Sequence, residues 1–89
     1  MSNYCIYVIA KSDIGYFLVP RYSDSLEELK EEVESLAVSL NDSSGIEHVF
    51  SKWGEGETIL EAKKDAQRKA IKECKRKGIN SKDLFLSED

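Results

Sequence analysis

The chain is poor in the residue types that build metal and catalytic sites. Its 89 residues include one histidine, His48, and two cysteines, Cys5 and Cys74, near opposite ends of the sequence. Structural zinc needs four clustered Cys or His ligands, so the composition argues against a zinc site. No apolar run approaches the roughly 20 residues that a membrane-spanning helix requires. We therefore expect no cofactor, no metal and no membrane partner.

The remaining chemistry also favours a non-catalytic protein. His48 could serve as base to a Cys5 or Cys74 nucleophile, but a lone strand histidine more often packs or faces solvent. The glutamates of segment 27–34 lie on a predicted helix, whereas calcium needs oxygens converging from a loop. The start of the chain, MSNYCIYVIAK, lacks a basic segment and a small-residue cleavage site, which predicts a cytoplasmic protein with free thiols. We predict that the chain is not an enzyme.

Charge is divided unevenly along the sequence. The formal net charge is −4, but residues 1–61 carry four Lys/Arg against twelve Asp/Glu, and residues 62–89 carry nine against five. An acidic protein is repelled by nucleic acid at long range, although a local basic face can still bind it.

Hydrophobic periodicity predicts one α+β domain over residues 1–89, in the order ββαβα. Aromatic and β-branched residues predict strands at Tyr4–Ala10, Gly15–Tyr22 and Ile46–Trp53, and a short strand or turn at Leu84–Leu86. Pro20 lacks an N–H, so the second strand should be an edge or end nearby. Because both faces of Tyr4–Ala10 are apolar, the pattern does not reveal which face is covered.

Two amphipathic helices complete the prediction. The first runs through SLEELKEEVESLAVSL, capped by Ser23 or Asp24, with an apolar stripe made of Leu26, Leu29, Val33, Leu36, Ala37 and Leu40. The second spans Thr58–Lys77 and ends at Gly78, with Ile59, Ala62, Ala66, Ala70 and Cys74 on its stripe and Leu60 and Ile71 beside them. The simplest arrangement packs both helices on one face of a mainly antiparallel three-stranded sheet. The acidic and basic helices would then lie side by side.

The second helix and its approach resemble the C-terminal part of double-stranded-RNA-binding domains. The matching residues are Gly54, Gly56, Thr58, Ala62, Lys63, Ala66, Ala70 and Ile71. The resemblance implies lysines that bridge phosphates across the major groove and read the shape of the duplex. Ile59 and Leu60 stand where the family has a lysine pair, and the family places a helix before its three strands.

The N-terminal half is similar to HicB-type antitoxins. It shares a hairpin with Gly15-Tyr16 at the turn exit and a helix that opens with Ser25–Glu28, SLEE. Those proteins use a partial version of the same RNA-binding fold to mask a small RNA-cleaving toxin. The resemblance implies a protein partner, although a likeness of fold does not transfer function.

Two binding functions follow from the charged helices. In the first, the chain regulates or inhibits a protein partner, such as a basic nucleic-acid-processing enzyme, as phage- and mobile-element-encoded antagonists often do. Its contact residues form the acidic face: Glu27, Glu28, Glu31, Glu32 and Glu34. In the alternative, the chain binds double-stranded RNA or DNA through the basic stripe: Lys64, Arg68, Lys72, Lys75 and Arg76. A third interpretation is that the two surfaces only neutralise each other and keep the protein soluble.

Overall fold

Four strands and two helices lie within the part of the chain that the structure describes. The computed structural model describes residues 2–42 and 45–86. The elements are β1 (Asn3–Ser12), β2 (Gly15–Ser23), α1 (Leu26–Asp42), β3 (Glu47–Gly56), α2 (Ile59–Arg76) and β4 (Leu84–Leu86), with a 3₁₀ turn at Ser81–Asp83. The predicted α+β class and ββαβα order are confirmed, and the C-terminal segment adds a short strand.

The sheet has the order β3-β1-β2-β4 and is mixed. β1 pairs antiparallel with β2 and β3, whereas β4 runs parallel to β2 and pairs only with Tyr16–Leu18. Pro20 therefore lies on the stretch of β2 that has no described strand on its outer side. Its carbonyl instead accepts a hydrogen bond from the Arg21 guanidinium at 2.9 Å. A proline is tolerated there because no ladder N–H is needed.

The helices pack on opposite faces of the sheet, which corrects the expectation that both cover one face. Leu29 and Val33 of α1 pack with Ile6 and Val8. The second cluster packs the small residues of α2 against the other face of β1 and against β2. Its buried members are Cys5, Tyr7, Ile9, Leu18, Ala62, Ala66, Ala70 and Cys74. Successive side chains of a strand point to opposite faces, so β1 is buried on both.

Local sequence fixes both ends of α2. The Thr58 hydroxyl accepts a hydrogen bond from the Glu61 N–H at 3.1 Å, as expected of an N-cap. At the other end Gly78 adopts a φ of 80°, and the Ile79 N–H reaches the Cys74 carbonyl at 2.9 Å. This is the Schellman ending that glycine permits. The start of α1 differs from the prediction: Ser25 rather than Ser23 or Asp24 caps it, through the Glu28 N–H at 3.4 Å.

Two glycines of β3 let α2 lie directly on the sheet. A Cβ placed on Gly54 would come within 2.3 Å of the Ala66 nitrogen and 2.8 Å of the Ala62 oxygen. A Cβ on Gly56 would meet Glu61 and Ala62 at a similar distance. Apart from the Cβ of Glu61, the atoms met are helix backbone, so the two glycines and the alanine stripe are complementary parts of one interface.

The first turn of α2 precedes this interface. Ile59 and Leu60 are 53% and 59% exposed, although the sequence pattern placed them on or beside the buried stripe. The helix atoms nearest to Gly56 of β3 belong to Glu61 and Ala62, just after this exposed pair. Among the described residues, neither helix is long and apolar enough to cross a membrane.

Candidate binding surfaces

The acidic face lies on α1 and points away from the sheet. Its five glutamates, Glu27, Glu28, Glu31, Glu32 and Glu34, are all exposed, because the leucines and Val33 occupy the opposite side of the helix. The Arg21 guanidinium lies 3.8 Å from the Glu32 carboxylate, and the Ser23 hydroxyl lies 3.5 Å from that of Glu28. Within the described part of the chain, Glu27, Glu31 and Glu34 have no such neighbour.

Val38 lies in the same row as these unpaired glutamates. Glu27, Glu31, Glu34 and Val38 follow one another at spacings of three or four residues, which places them along one line of the helix. Val38 is 62% exposed. The sequence pattern missed it as a surface residue because it follows Ala37 in an apolar run, yet its helical phase differs from that of the buried stripe.

The sheet separates the acidic face from α2. Because α1 packs on Ile6 and Val8 and α2 on the opposite face, the expected side-by-side placement of the two helices is wrong. Every ion pair of α2 that the structure shows is made within α2 or with Lys52 of β3. Among the described residues, the structure therefore shows no ion pair between the acidic face and the basic stripe.

The basic stripe is exposed but is partly neutralised by acids of its own helix. The Arg68 guanidinium lies 2.7 Å from the Asp65 carboxylate, and that of Arg76 lies 3.0 Å from Glu73. Lys64, Lys72 and Lys75 are exposed, and no described carboxylate forms an ion pair with them. Three of the five stripe residues therefore remain available to an anionic partner.

A groove between α2 and β3 gathers a further set of cations. This edge groove has a volume of about 280 Å³ and is lined by Lys52, Lys69, Lys72, Glu73 and Arg76. The Nζ of Lys52 lies 4.0 Å from the Glu73 carboxylate, which Arg76 and Lys77 also approach. Strand alternation puts Lys52 on the same face as Phe50, beneath α2. The alternation of β3 would have placed Lys52 beside α2 from the sequence, if the face that α2 covers had been known.

The two carboxylates beside the groove experience a strongly positive field. Hydrogen bonds from Arg68 and Lys69 lower the pKa of Asp65 to about 2. The hydrogen bond from Arg76 lowers the pKa of Glu73, with Lys52 and Lys77 adding to it. Both groups therefore stay ionised over the whole physiological range, and each holds several cations in place.

The three candidate catalytic residues are kept apart. The Cys5 and Cys74 thiols are buried between α2 and the sheet. Burial raises the pKa of both thiols, that of Cys5 to about 11. His48 pairs with Ala10 across the sheet and so lies on the α1 face, where its Nε2 is 3.0 Å from the Ser51 hydroxyl. Neither thiol can reach His48 through the sheet. In the described residues, no group of three His, Cys, Asp or Glu side chains is placed to hold a metal.

The chain was compared with protein families, curated proteins and solved structures. No protein-family model matches the chain, and no significant match was found among curated proteins or solved structures.

Proposed function

We propose that the chain is a small non-catalytic module that regulates or inhibits a protein partner through the acidic face of α1. The observation that supports this proposal is the position of the sheet between α1 and α2. It keeps the basic helix away from Glu27, Glu31 and Glu34, so their charges remain available to a partner. A row of unpaired carboxylates beside an exposed valine fits a basic surface that also offers an apolar contact.

The proposed partner is a protein with a basic site, such as a nucleic-acid-processing enzyme. Opposite charges would speed the encounter and make its rate fall as salt rises. Val38 would supply apolar area at the end of the charged row, because desolvated apolar contacts contribute more affinity than solvated rim charges.

The test compares two variants that lose the same charge. Partners captured by the wild-type chain are identified by mass spectrometry, and each is then purified and titrated with the variants. Replacing Glu27, Glu31 and Glu34 by glutamine removes three unpaired acids and keeps the helix propensity. The matched control replaces Asp13 by asparagine and Glu47 and Glu57 by glutamine, all exposed and away from α1.

We expect the α1 variant to bind the purified partner at least about tenfold more weakly and with a smaller salt dependence. The control should bind as the wild type does. Equal binding by both variants, with both folded by circular dichroism, would remove the acidic face from the proposal.

A second candidate function is binding of double-stranded RNA or DNA through the basic stripe. It is supported by the exposure of Lys64, Lys72 and Lys75, which have no described acidic partner. Gel shifts with duplex RNA and duplex DNA at about 50 mM salt test it, since non-specific affinities are typically near 10⁻⁴ to 10⁻⁶ M even at physiological salt. Absence of any shift at micromolar protein would end this candidate.

A further inference from the structure

The edge groove has more positive charge than its own acids can neutralise. Its lining sets Lys52, Lys69, Lys72 and Arg76 against the single carboxylate of Glu73, and Lys77 also approaches Glu73. The Glu73 side chain is only 14% exposed and is approached by three of these cations at 3.0–4.0 Å. The side chains of Arg76, Lys77 and Lys52 are 79%, 45% and 43% exposed, so an external anion can reach them.

An exposed aromatic ring adjoins this positive groove. Trp53 is 43% exposed on the edge strand β3, and the Nζ of Lys69 lies 5.6 Å from the centre of its ring. Trp53 pairs with Ile6 and so points to the α1 face at the edge of the sheet, whereas the groove lies on the α2 face. Lys69 lines the groove and also contacts the ring, so it connects the two across this edge. The Tyr4 ring also packs against Trp53, with ring centres 6.2 Å apart and ring planes tilted by 56°. A partly exposed ring that is held in place by a neighbouring ring can stack against a planar ligand.

Cations beside an exposed ring match the chemistry of unpaired nucleotides. Proteins that bind single strands track the phosphates with positive charge and stack bases on aromatic side chains. A base within a duplex is already stacked and cannot present its face to a tryptophan. The ring therefore distinguishes this surface from the basic stripe, which offers charge alone.

We propose that the edge groove and Trp53 bind an unpaired segment of nucleic acid. The phosphates lie against Lys52, Lys69, Lys72 and Arg76, and one base stacks on Trp53. This site shares no residue with the acidic face. It differs from the basic stripe in using Lys52 and Lys69 in place of Lys64, Arg68 and Lys75.

Trp53 is the single tryptophan of the chain, so its fluorescence reports directly on the site. The full chain is titrated with oligodeoxythymidylate and oligouridylate of about 12 nucleotides, within the span that single-strand sites cover. We expect saturable quenching of the Trp53 emission. With four phosphate contacts, the logarithm of the affinity should fall with the logarithm of the salt concentration with a slope of roughly −3.

Matched variants locate the site. Lys52→Gln with Lys69→Gln should weaken binding roughly tenfold and make the salt slope shallower by about 1.4, whereas Lys64→Gln with Lys75→Gln should leave both unchanged. Trp53→Ala, followed with a labelled oligonucleotide, should also weaken binding about tenfold. The reverse pattern between the two lysine pairs would overturn the proposal.

Two competitor ligands complete the test. A duplex of the same length should bind more weakly and leave the Trp53 emission unquenched, and a polyglutamate peptide should compete poorly. Quenching by polyglutamate as strong as that by the oligonucleotides would show that the groove accepts an acidic protein segment, and so would contradict the proposal. Failure to quench with any nucleic acid would also overturn it, and would leave the protein-binding role of α1 untouched.

Discussion

At Gly54 the absence of a side chain decides how closely α2 can approach β3. The sequence drew attention to Gly54 and Gly56 because they resemble the start of an RNA-binding helix. The structure gives them a packing role, since a Cβ at either position would overlap the backbone of α2. A pattern of glycines before a helix can therefore reflect close packing between a strand and that helix. A ligand-binding loop gives the same pattern in a sequence.

Gly54→Ala should destabilise the fold by about 3 kcal/mol, because the added methyl forces the helix backbone away from the sheet. Gly78→Ala is the matched control. Its Cβ would meet nothing within 4 Å, and only the positive φ opposes it, at about 1 kcal/mol. Urea denaturation of the wild type and the two variants measures both losses of stability. A loss at Gly54 no larger than that at Gly78 would contradict the close contact.

Asp65 is a residue whose ionisation should stabilise the fold. It accepts hydrogen bonds from Arg68, Lys69 and the Glu55 N–H at 2.7, 3.0 and 3.2 Å. Its pKa is lowered to about 2, so the stabilisation is complete above the usual aspartate range and is lost as pH falls through about 2. Asp65→Asn should lower the free energy of unfolding by roughly 1 kcal/mol at neutral pH, since solvent reaches these ion pairs.

Urea denaturation across a pH series tests this prediction. The wild type and Asp65→Asn should differ most at neutral pH and converge as pH approaches about 2, where Asp65 becomes protonated. A difference that stayed constant down to that pH would show that the charge of Asp65 does not contribute.

At the scale of elements, periodicity predicted the strands and helices, but the expected packing of both helices on one face was wrong. The strands, both helices and the end of α2 follow from alternation, stripes and capping residues. The side on which each helix packs did not follow, because β1 is apolar in both phases. A strand that is buried on both faces has a continuous apolar sequence, as β1 does. Here α1 covers one face of β1 and α2 covers the other. The edge groove stayed hidden because Lys52 and α2 are brought together only by that packing.

Burial of β1 on both faces gives a prediction for two adjacent residues. Val8 faces α1 and Ile9 faces α2, and both are fully buried. Val8→Thr and Ile9→Thr should each destabilise the fold by about 1–3 kcal/mol, because each introduces a hydroxyl into an apolar cluster. Val49→Thr, at a residue that is 37% exposed, should be nearly neutral. Tolerance of threonine at either β1 position, measured by thermal or urea denaturation, would show that one face is open.

At the scale of the whole molecule, the sheet divides the charge into two surfaces. The acidic face belongs to α1, which covers one face of the sheet. The basic stripe and the edge groove belong to the opposite face, which α2 covers. This division allows one small domain to present an acidic surface to a protein and a basic surface to a polyanion at the same time. Both proposals depend on it, because helices packed side by side would neutralise each other.

Methyl NOE spectroscopy of the isotopically labelled chain tests this division most directly. The methyls of Leu29 and Val33 should show contacts to Ile6 and Val8, and the alanine methyls of α2 should show contacts to Tyr7 and Ile9. No contact should join the leucine methyls of α1 to the alanine methyls of α2. Strong contacts between those two sets would place both helices on one face and contradict the account.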